Sequence, residues 1–227
     1  MSALYSIGKL LLGPPLRLAW RPRITGLEHI PAMGPVILAS NHLSVVDSIL
    51  IPMISPRQVY FLAKDEYFQN RLLGTLMTGL NQISVDRSGG RASLLALESA
   101  FPVLRAGQVL GIYPEGTRSL DGRLYRGRPG VAKLAVETGA TLVPIGIRGT
   151  ERIQPVGASV PGLGKGVEAS VGKPVDLSQW EHRPADSRTF REITAALMME
   201  IAALSGQIYV GRYAPARRSP QDPAPEG

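Results

Sequence analysis

A histidine and an aspartate lie five positions apart in SNHLSVVDS, residues 40–48, between two apolar runs. If His42 sits in a turn that leaves a strand, the chain can fold its ring back over Asp47. The carboxylate would then accept a hydrogen bond from one ring nitrogen and leave the other to accept a proton. The spacing therefore predicts a His–Asp general-base pair that faces a cleft.

The same stretch also fits a purely structural role. Ser44-Val45-Val46-Asp47 matches the pattern that begins many helices, with Ser44 as the N-cap. The two interpretations are compatible, since Ser44 can cap the helix while Asp47 orients His42. The chain has no G-x-S-x-G elbow and no cysteine, so the expected nucleophile is a substrate hydroxyl that attacks an acyl carbonyl.

A second polar stretch, YPEGTRS (residues 113–119), follows another apolar run. Gly116 allows close backbone approach, and Thr117 and Arg118 supply hydrogen-bond donors suited to phosphate or carboxylate. Glu115 is costly to bury without a partner. The alternative is a surface turn that holds a Glu–Arg pair.

Two further cations end predicted strands. Arg87, in the stretch VDRSGG, lies beside a predicted helix start and is a candidate anion site, with a solvated loop as the alternative. Lys64 closes the run VYFLA. The stretch LVPIGI, residues 142–147, is apolar and indicates core or the wall of an acyl-chain site.

These residues are expected to be positioned by strands that alternate with helices. Short runs rich in Val and Ile predict strands, and apolar residues every three or four positions predict helices. The predicted strands are Val36–Ser40, Val59–Ala63, Ile83–Val85, Val109–Tyr113, Leu142–Ile147 and, as an edge strand, Val167–Val171. The predicted helices are 45–54, 67–80, 91–104, 130–138 and 186–204, the last capped by Asp186 or Ser187. The alternation indicates an α/β fold with a mixed, mostly parallel sheet flanked by helices.

The amino-acid composition narrows the classes of partner that the protein is expected to bind. A formal net charge of +7 favours anionic partners. The three histidines and the absence of cysteine argue against a metal centre, so no metal or cofactor is expected. The cations sit at strand ends and are not interleaved with aromatics along a groove, so nucleic acid is not an expected partner.

The N-terminal segment, residues 1–24, is basic and aliphatic, with no acidic residue before Glu28. This composition predicts an amphipathic helix that contacts an anionic membrane surface; the alternative is a helix docked on the domain. The helix is expected to stop at Gly13–Pro15, about 18 Å long and too short to span a bilayer. The main domain is predicted at 25–207 and a disordered, Pro-rich tail at 208–227.

Four motifs, in this order and spacing, resemble those of the glycerolipid acyltransferases, most closely the 1-acyl-glycerol-3-phosphate acyltransferases. The family motif N-H-x-x-x-x-D appears as NHLSVVD (41–47), and the apolar run that ends in arginine appears as ISVDR (83–87). F-P-E-G-T-R-S appears as YPEGTRS, with Tyr113 in place of Phe, and V-P-[IV]-x-[IV] appears as VPIGI (143–147). The resemblance covers roughly residues 25 to 175.

The resemblance implies a reaction and a role for each site residue. His42 would be the general base on the sn-2 hydroxyl of lysophosphatidic acid, and Asp47 would orient His42 and stabilise its protonated form. The alkoxide would attack the thioester of acyl-CoA or acyl carrier protein and give phosphatidic acid. Arg87 and Arg118, with Lys64, would hold the acceptor phosphate.

The rest of the third motif, Glu115, Gly116 and Thr117, would shape the acceptor site. The enzyme is expected at the cytoplasmic face of the cell membrane, as a peripheral or monotopic protein. Three alternatives stay open: another lysolipid or glycerol 3-phosphate as acceptor, a thioesterase in which His42 activates water, and a binding module without catalysis.

Overall fold

The computed structural model describes residues 3–64, 82–85, 97–158, 160–164 and 166–215. The helices in this part of the chain are α1 (Ala3–Trp20), α2 (Asp47–Ile54), α3 (Phe101–Arg105), α4 (Gly130–Thr138), α5 (Thr150–Ile153) and α6 (Ser187–Ser205). The strands are β1 (Arg23–Thr25), β2 (Val36–Ser40), β3 (Val59–Lys64), β4 (Gln82–Val85), β5 (Val109–Ile112), β6 (Thr141–Arg148) and β7 (Glu168–Val171).

Four predicted segments and one predicted site residue, Arg87, fall wholly or partly outside the described residues. The segments are the first two residues of the N-terminal segment, the helix at 67–80, the first part of the helix at 91–104, and the end of the tail, 216–227. The described end of the second helix contains a turn at 99–100, after which α3 begins.

A seven-stranded sheet in the order β1-β7-β6-β2-β5-β3-β4 organises the described residues. Its neighbours are parallel except for the antiparallel pair β6–β7. The mixed, mostly parallel sheet is therefore confirmed. The prediction that residues 167–171 form an edge strand is wrong, because β1 pairs with β7 and occupies that edge. A three-residue strand is too short to show a hydrophobic period, which is why the sequence pattern missed it.

The central strand β2 is buried on both faces of the sheet. Val36 and Leu38 belong to one apolar cluster, which also contains the inner side of α2. Ile37 and Ala39 belong to the other cluster, which contains the inner sides of α4 and α6. Burial on both faces explains why this strand reads as a continuous apolar run.

Two helix boundaries follow the predicted chemistry. Gly139 ends α4 at a φ of 64°, in the left-handed region that glycine adopts without strain. The Asp186 side chain caps α6 by accepting hydrogen bonds from Arg188 N and Thr189 N.

Helix α1 is longer than predicted, since it runs through Pro14 and Pro15 to Trp20. Proline costs a helix one hydrogen bond and a steric clash, but its fixed φ is helical. Buried Tyr5 and Trp20 anchor the two ends of α1 to the domain, which holds the helix together across the two prolines. It ends where Arg21 takes a φ of 46°. Within the described residues, no helix combines the length and the apolar character needed to cross a bilayer.

The segment after residue 207 begins in ordered contact with the domain. Leu124 N donates to Ile208 O at 3.0 Å, and Val210 N returns a bond to Leu124 O at 2.8 Å. Arg126 N donates to Arg212 O at 2.8 Å. The boundary predicted at residue 208 is therefore too early, because backbone pairing was not visible in the composition.

Candidate active site

Two polar loops meet where neighbouring parallel strands end. The loop after β2 carries His42, and the loop after β5 carries residues 113–119. Ser119 N donates to His42 O at 2.7 Å and joins the two loops directly. The carboxyl end of the sheet, where α/β folds form ligand crevices, therefore holds both predicted motifs.

His42 and Asp47 form the predicted pair. The distance from His42 Nδ1 to Asp47 Oδ2 is 2.9 Å, with the Asp47 side chain fully buried and the His42 side chain 15% exposed. An ionised carboxylate only accepts hydrogen bonds, so Nδ1 carries the proton in this contact. In the neutral ring the lone pair then lies on Nε2, the arrangement of a general base.

Asp47 also holds the turn that presents His42. Its Oδ2 accepts from Leu43 N at 2.7 Å and from Ser44 N at 2.9 Å, while Ser44 Oγ accepts from Val46 N at 3.3 Å. The turn and the dyad therefore share one carboxylate oxygen. The structure corrects the predicted helix start: α2 begins at Asp47, with Val46 as its N-cap and no side-chain cap hydrogen bond, so Ser44 is not the N-cap and the helix does not begin at residue 45.

An aromatic stack supports the histidine ring. The ring of Tyr113 lies 3.8 Å from that of His42 with 7° between their planes, and Phe61 lies behind Tyr113 at 5.6 Å. The Tyr113 hydroxyl is 2.9 Å from Ser48 Oγ on α2. A Cβ atom on Gly111 would lie 2.3 Å from the Phe61 ring, so this stack requires glycine at that position. The sequence showed the Phe-to-Tyr exchange but not this contact.

The Glu115 side chain is buried in the protein. Its Oε1 accepts from His42 N at 3.3 Å and its Oε2 from Tyr125 N at 2.9 Å. Burial raises its pKa to about 7, against the smaller lowering effect of these two backbone hydrogen bonds. The surface-turn alternative fails for Glu115, which is 2% exposed. Its contacts assign it to positioning the His42 backbone.

The rest of the third motif lies at the surface of the same loop. Gly116 has a φ of 75°, and a Cβ atom there would lie 2.8 Å from Arg128 Nε. Thr117 and Arg118 are half-buried and follow directly. The loop thus brings Arg118 to the same carboxyl end of the sheet as His42, as the motif predicted.

The remaining predicted cations are only partly placed. Lys64 ends β3, which neighbours β5, and its backbone is in register with Val85 of β4. Arg87 lies outside the described residues. The fourth motif, residues 143–147, is buried within β6, which confirms the core interpretation.

Asn41 has a role that the sequence analysis left unassigned. Its Nδ2 donates to Ile147 O at 2.8 Å, and Ile147 N donates to its Oδ1 at 2.7 Å. The side chain thereby continues the ladder between β2 and β6 beyond the last backbone pair. Nδ2 also donates to Gln207 Oε1 at 2.7 Å. Asn41 therefore fixes the start of the turn that carries His42.

Known proteins with similar sequences or structures are acyltransferases. The family model described as Acyltransferase matches residues 21–148. The 1-acyl-sn-glycerol-3-phosphate acyltransferase of Bacillus subtilis is 29% identical over 188 residues, which cover 82% of this chain and 89% of that protein. The chloroplastic enzyme LPAT1 of Arabidopsis thaliana is 31% identical over 140 residues, or 61% of this chain.

The chain spans about two fifths of the length of the chloroplastic relatives, 39% for LPAT1 and 40% for BAT2 of Brassica napus. Among solved structures, the 1-acyl-sn-glycerophosphate acyltransferase PlsC from Thermotoga maritima superposes with a TM-score of 0.68 at 24% identity. The superposition covers 88% of this chain and 78% of that one. This likeness confirms the fold class.

Proposed function

We propose that this chain, which belongs to the acyltransferase family, transfers a fatty acyl group from an acyl thioester to the sn-2 hydroxyl of lysophosphatidic acid. The observation that carries the proposal is the 2.9 Å contact between His42 Nδ1 and the buried Asp47 Oδ2 at the sheet edge. The names of the relatives from Bacillus subtilis and Arabidopsis thaliana support the acceptor. The donor is acyl-CoA or acyl carrier protein, and the product is phosphatidic acid.

The reaction needs only proton transfer and one acyl exchange. His42 Nε2 accepts the hydroxyl proton as the acceptor oxygen attacks the thioester carbonyl carbon. Asp47 stabilises the imidazolium that forms. The tetrahedral intermediate then expels the sulfur, which takes the proton from His42 and leaves as the thiol. No acyl-enzyme forms, so the ester oxygen of the product comes from the acceptor.

We assign the binding of the acceptor phosphate to the cations at the carboxyl end of the sheet, where His42 also lies. Arg118 is supported by its place in the loop that Ser119 N joins to His42 O. Lys64 is supported by its position at the end of β3, beside β5. Arg87 is supported by its motif. Guanidinium groups suit a phosphomonoester because they present paired donors to its oxygens.

The N-terminal helix is proposed to lie on an anionic membrane at the cytoplasmic face. Its outward side carries bare aliphatic side chains, each more than half exposed: Ile7, Leu10, Leu11, Leu12 and Leu18. Tyr5 Oη donates to Pro52 O, which fixes α1 against α2. The contact lies five residues along α2 from Asp47, so α1 packs beside the helix that carries the carboxylate of the dyad.

Thiol release from acyl-CoA by purified protein in liposomes tests the reaction. Release that requires lysophosphatidic acid, yields the diacyl product and disappears in His42→Ala is the expected result. Acceptor-independent release would replace the proposal with a thioesterase. Loss of the dyad should reduce kcat by about 10²- to 10⁴-fold, the usual range for general-base catalysis.

Vesicle co-sedimentation tests the membrane assignment. Leu11→Ser with Leu12→Ser should release the protein from anionic vesicles. Met33→Ser is the matched control, because Met33 is 84% exposed and lies outside α1. Equal binding by both variants would overturn the assignment of α1 to the membrane.

A further inference from the structure

Three arginines gather around two tyrosines on the surface next to the third motif. The Arg126 and Arg128 guanidinium carbons lie 5.2 and 5.9 Å from the centre of one ring, that of Tyr213. Arg126 also lines a shallow depression with Arg191 and Tyr209. We call these five residues the arginine cluster.

The cluster brings like charges together without compensation. No carboxylate in the described part of the chain forms an ion pair with Arg126, Arg128 or Arg191. On the same helix as Arg191, by contrast, Glu192 pairs with Arg188 and also with Arg183 of the preceding loop. Uncompensated cations at short range repel each other, and an anionic ligand would remove that repulsion.

Backbone hydrogen bonds hold the cluster in place. Arg126 N donates to Arg212 O at 2.8 Å, and Arg128 N donates to Pro114 O at 2.8 Å. The Tyr213 side chain is 45% exposed, so its ring is accessible between the two arginines. The geometry is therefore set by the fold and does not depend on the rotamers of free side chains alone.

The cluster adjoins the loop of residues 113–119. Arg128 Nε lies 2.8 Å from the position that a Cβ atom on Gly116 would take. Gly116 follows Glu115, whose carboxylate accepts from His42 N. Arg128 therefore lies against the loop that also contacts the His42 backbone.

We propose that the arginine cluster binds the phosphorylated nucleotide end of an acyl-CoA donor. The inference rests on the proposed acyl transfer and names the donor for it. Because the pantetheine arm of CoA separates the phosphates from the thioester, such a donor needs an anion site that lies away from His42 and is distinct from the acceptor phosphate site.

The compactness of the cluster favours CoA over the acidic surface of a carrier protein. Two arginines converge on one ring, which suits several phosphate charges on a small molecule. A carrier protein would present carboxylates over an interface of several hundred Å² per partner. Acyl carrier protein is therefore the competing outcome of the test.

Calorimetric titration of the full chain in detergent with CoA tests binding without catalysis. Arg126→Gln and Arg128→Gln should each weaken CoA binding by about tenfold, and the double variant by more. Removing the 3′-phosphate from CoA should weaken binding to wild type more than to the double variant. Arg105→Gln is the matched control, because Arg105 also stacks on an aromatic ring, that of Phe101 at 5.4 Å, and ends α3 before β5.

Kinetics separate the donor from the acceptor. The cluster variants should raise KM for acyl-CoA and leave KM for lysophosphatidic acid unchanged. Unchanged CoA binding, a rise confined to the acceptor KM, or transfer from acyl carrier protein without CoA binding would each overturn the inference. Cluster-dependent CoA binding by a protein that acylates no acceptor would support this site while it overturned the proposed function.

Discussion

The surroundings of His42 and the arginine cluster differ in how their charged groups are compensated. Around His42, two buried carboxylates receive hydrogen bonds from the chain itself: Asp47 Oδ2 accepts three and Glu115 accepts two. In the arginine cluster, the cations have no carboxylate partner among the described residues and meet around the partly exposed ring of Tyr213.

The difference separates groups that the fold must satisfy from groups that a ligand can satisfy. A buried carboxylate without donors is expensive, so local backbone N–H groups are arranged around it. A solvated arginine without a charged partner costs little folding free energy, because water stabilises its charge. Substitutions near His42 that remove these hydrogen bonds should therefore change both catalysis and folding, whereas substitutions in the cluster should change binding alone.

The largest effect is expected from Asp47→Asn. With the amide oxygen in the Oδ2 position, the variant keeps the hydrogen bonds from Leu43 N, Ser44 N and His42 Nδ1, but it loses the negative charge that stabilises the imidazolium. We expect kcat to fall by about 10³-fold with a small change in unfolding free energy. Thiol-release kinetics and urea unfolding measure the two quantities.

Asp186→Asn is the control for Asp47→Asn. Asp186 also accepts from two backbone N–H groups at a helix start, but it has no histidine partner. That variant should keep full activity. An Asp47→Asn protein within tenfold of wild type would contradict the orienting role.

Glu115 should make stability depend on pH. Its pKa rises from 4.5 to about 7 in the folded protein, so the folded state holds a proton that the unfolded state has lost between these values. The stability that this proton contributes is present below about pH 4.5 and is lost as the pH rises through about 7. The difference corresponds to about 3 kcal/mol, with burial as its main cause.

Glu115→Gln isolates this effect, since the amide does not titrate. The unfolding free energy of wild type minus that of the variant should fall between pH 5 and pH 8, measured by urea unfolding. A constant difference across this range would show that the Glu115 carboxyl group is not shifted.

The sequence predicted the features that depend on local patterns. The strand Val36–Ser40 has the predicted bounds, and the His42–Asp47 pair meets as expected. A buried parallel strand is a continuous apolar run, and a five-residue spacing constrains which side chains can meet across a turn.

The sequence did not predict contacts between distant segments. The pairing of β1 with β7, the turn of Glu115 into the core and the approach of Tyr213 to Arg126 depend on how the chain returns to itself. The passage of α1 through two prolines depends on the burial of Tyr5 and Trp20 at its ends. Local propensity does not contain this tertiary information.

Gly116→Ala should affect both regions, the loop next to His42 and the arginine cluster. A φ of 75° disfavours any Cβ atom by about 1–2 kcal/mol, and this one would also lie 2.8 Å from Arg128 Nε. The variant should lose stability and also raise KM for acyl-CoA as Arg128 moves.

Gly122→Ala is a matched control for Gly116→Ala. Its φ is 76°, but nothing lies within 4 Å of the added Cβ atom. It should lose similar stability and keep the KM for acyl-CoA. An equal KM in both variants would dissociate Arg128 from donor binding.

The smallest effect is expected at the hydroxyl pair behind the histidine. Tyr113→Phe and Ser48→Ala each remove the 2.9 Å contact but leave the ring that stacks on His42 at 3.8 Å. Each variant should lower kcat/KM a few-fold, because the pair holds the Tyr113 ring against the imidazole. A double-mutant cycle should show a coupling energy of about 1 kcal/mol, the usual net value of one hydrogen bond.

Tyr113→Leu adds the loss of the stack and should also displace the pH profile of kcat, since an aromatic face stabilises the imidazolium. Additive effects in the cycle, together with an unmoved pH profile in Tyr113→Leu, would reduce Tyr113 to a packing residue and leave Asp47 as the group that orients the base.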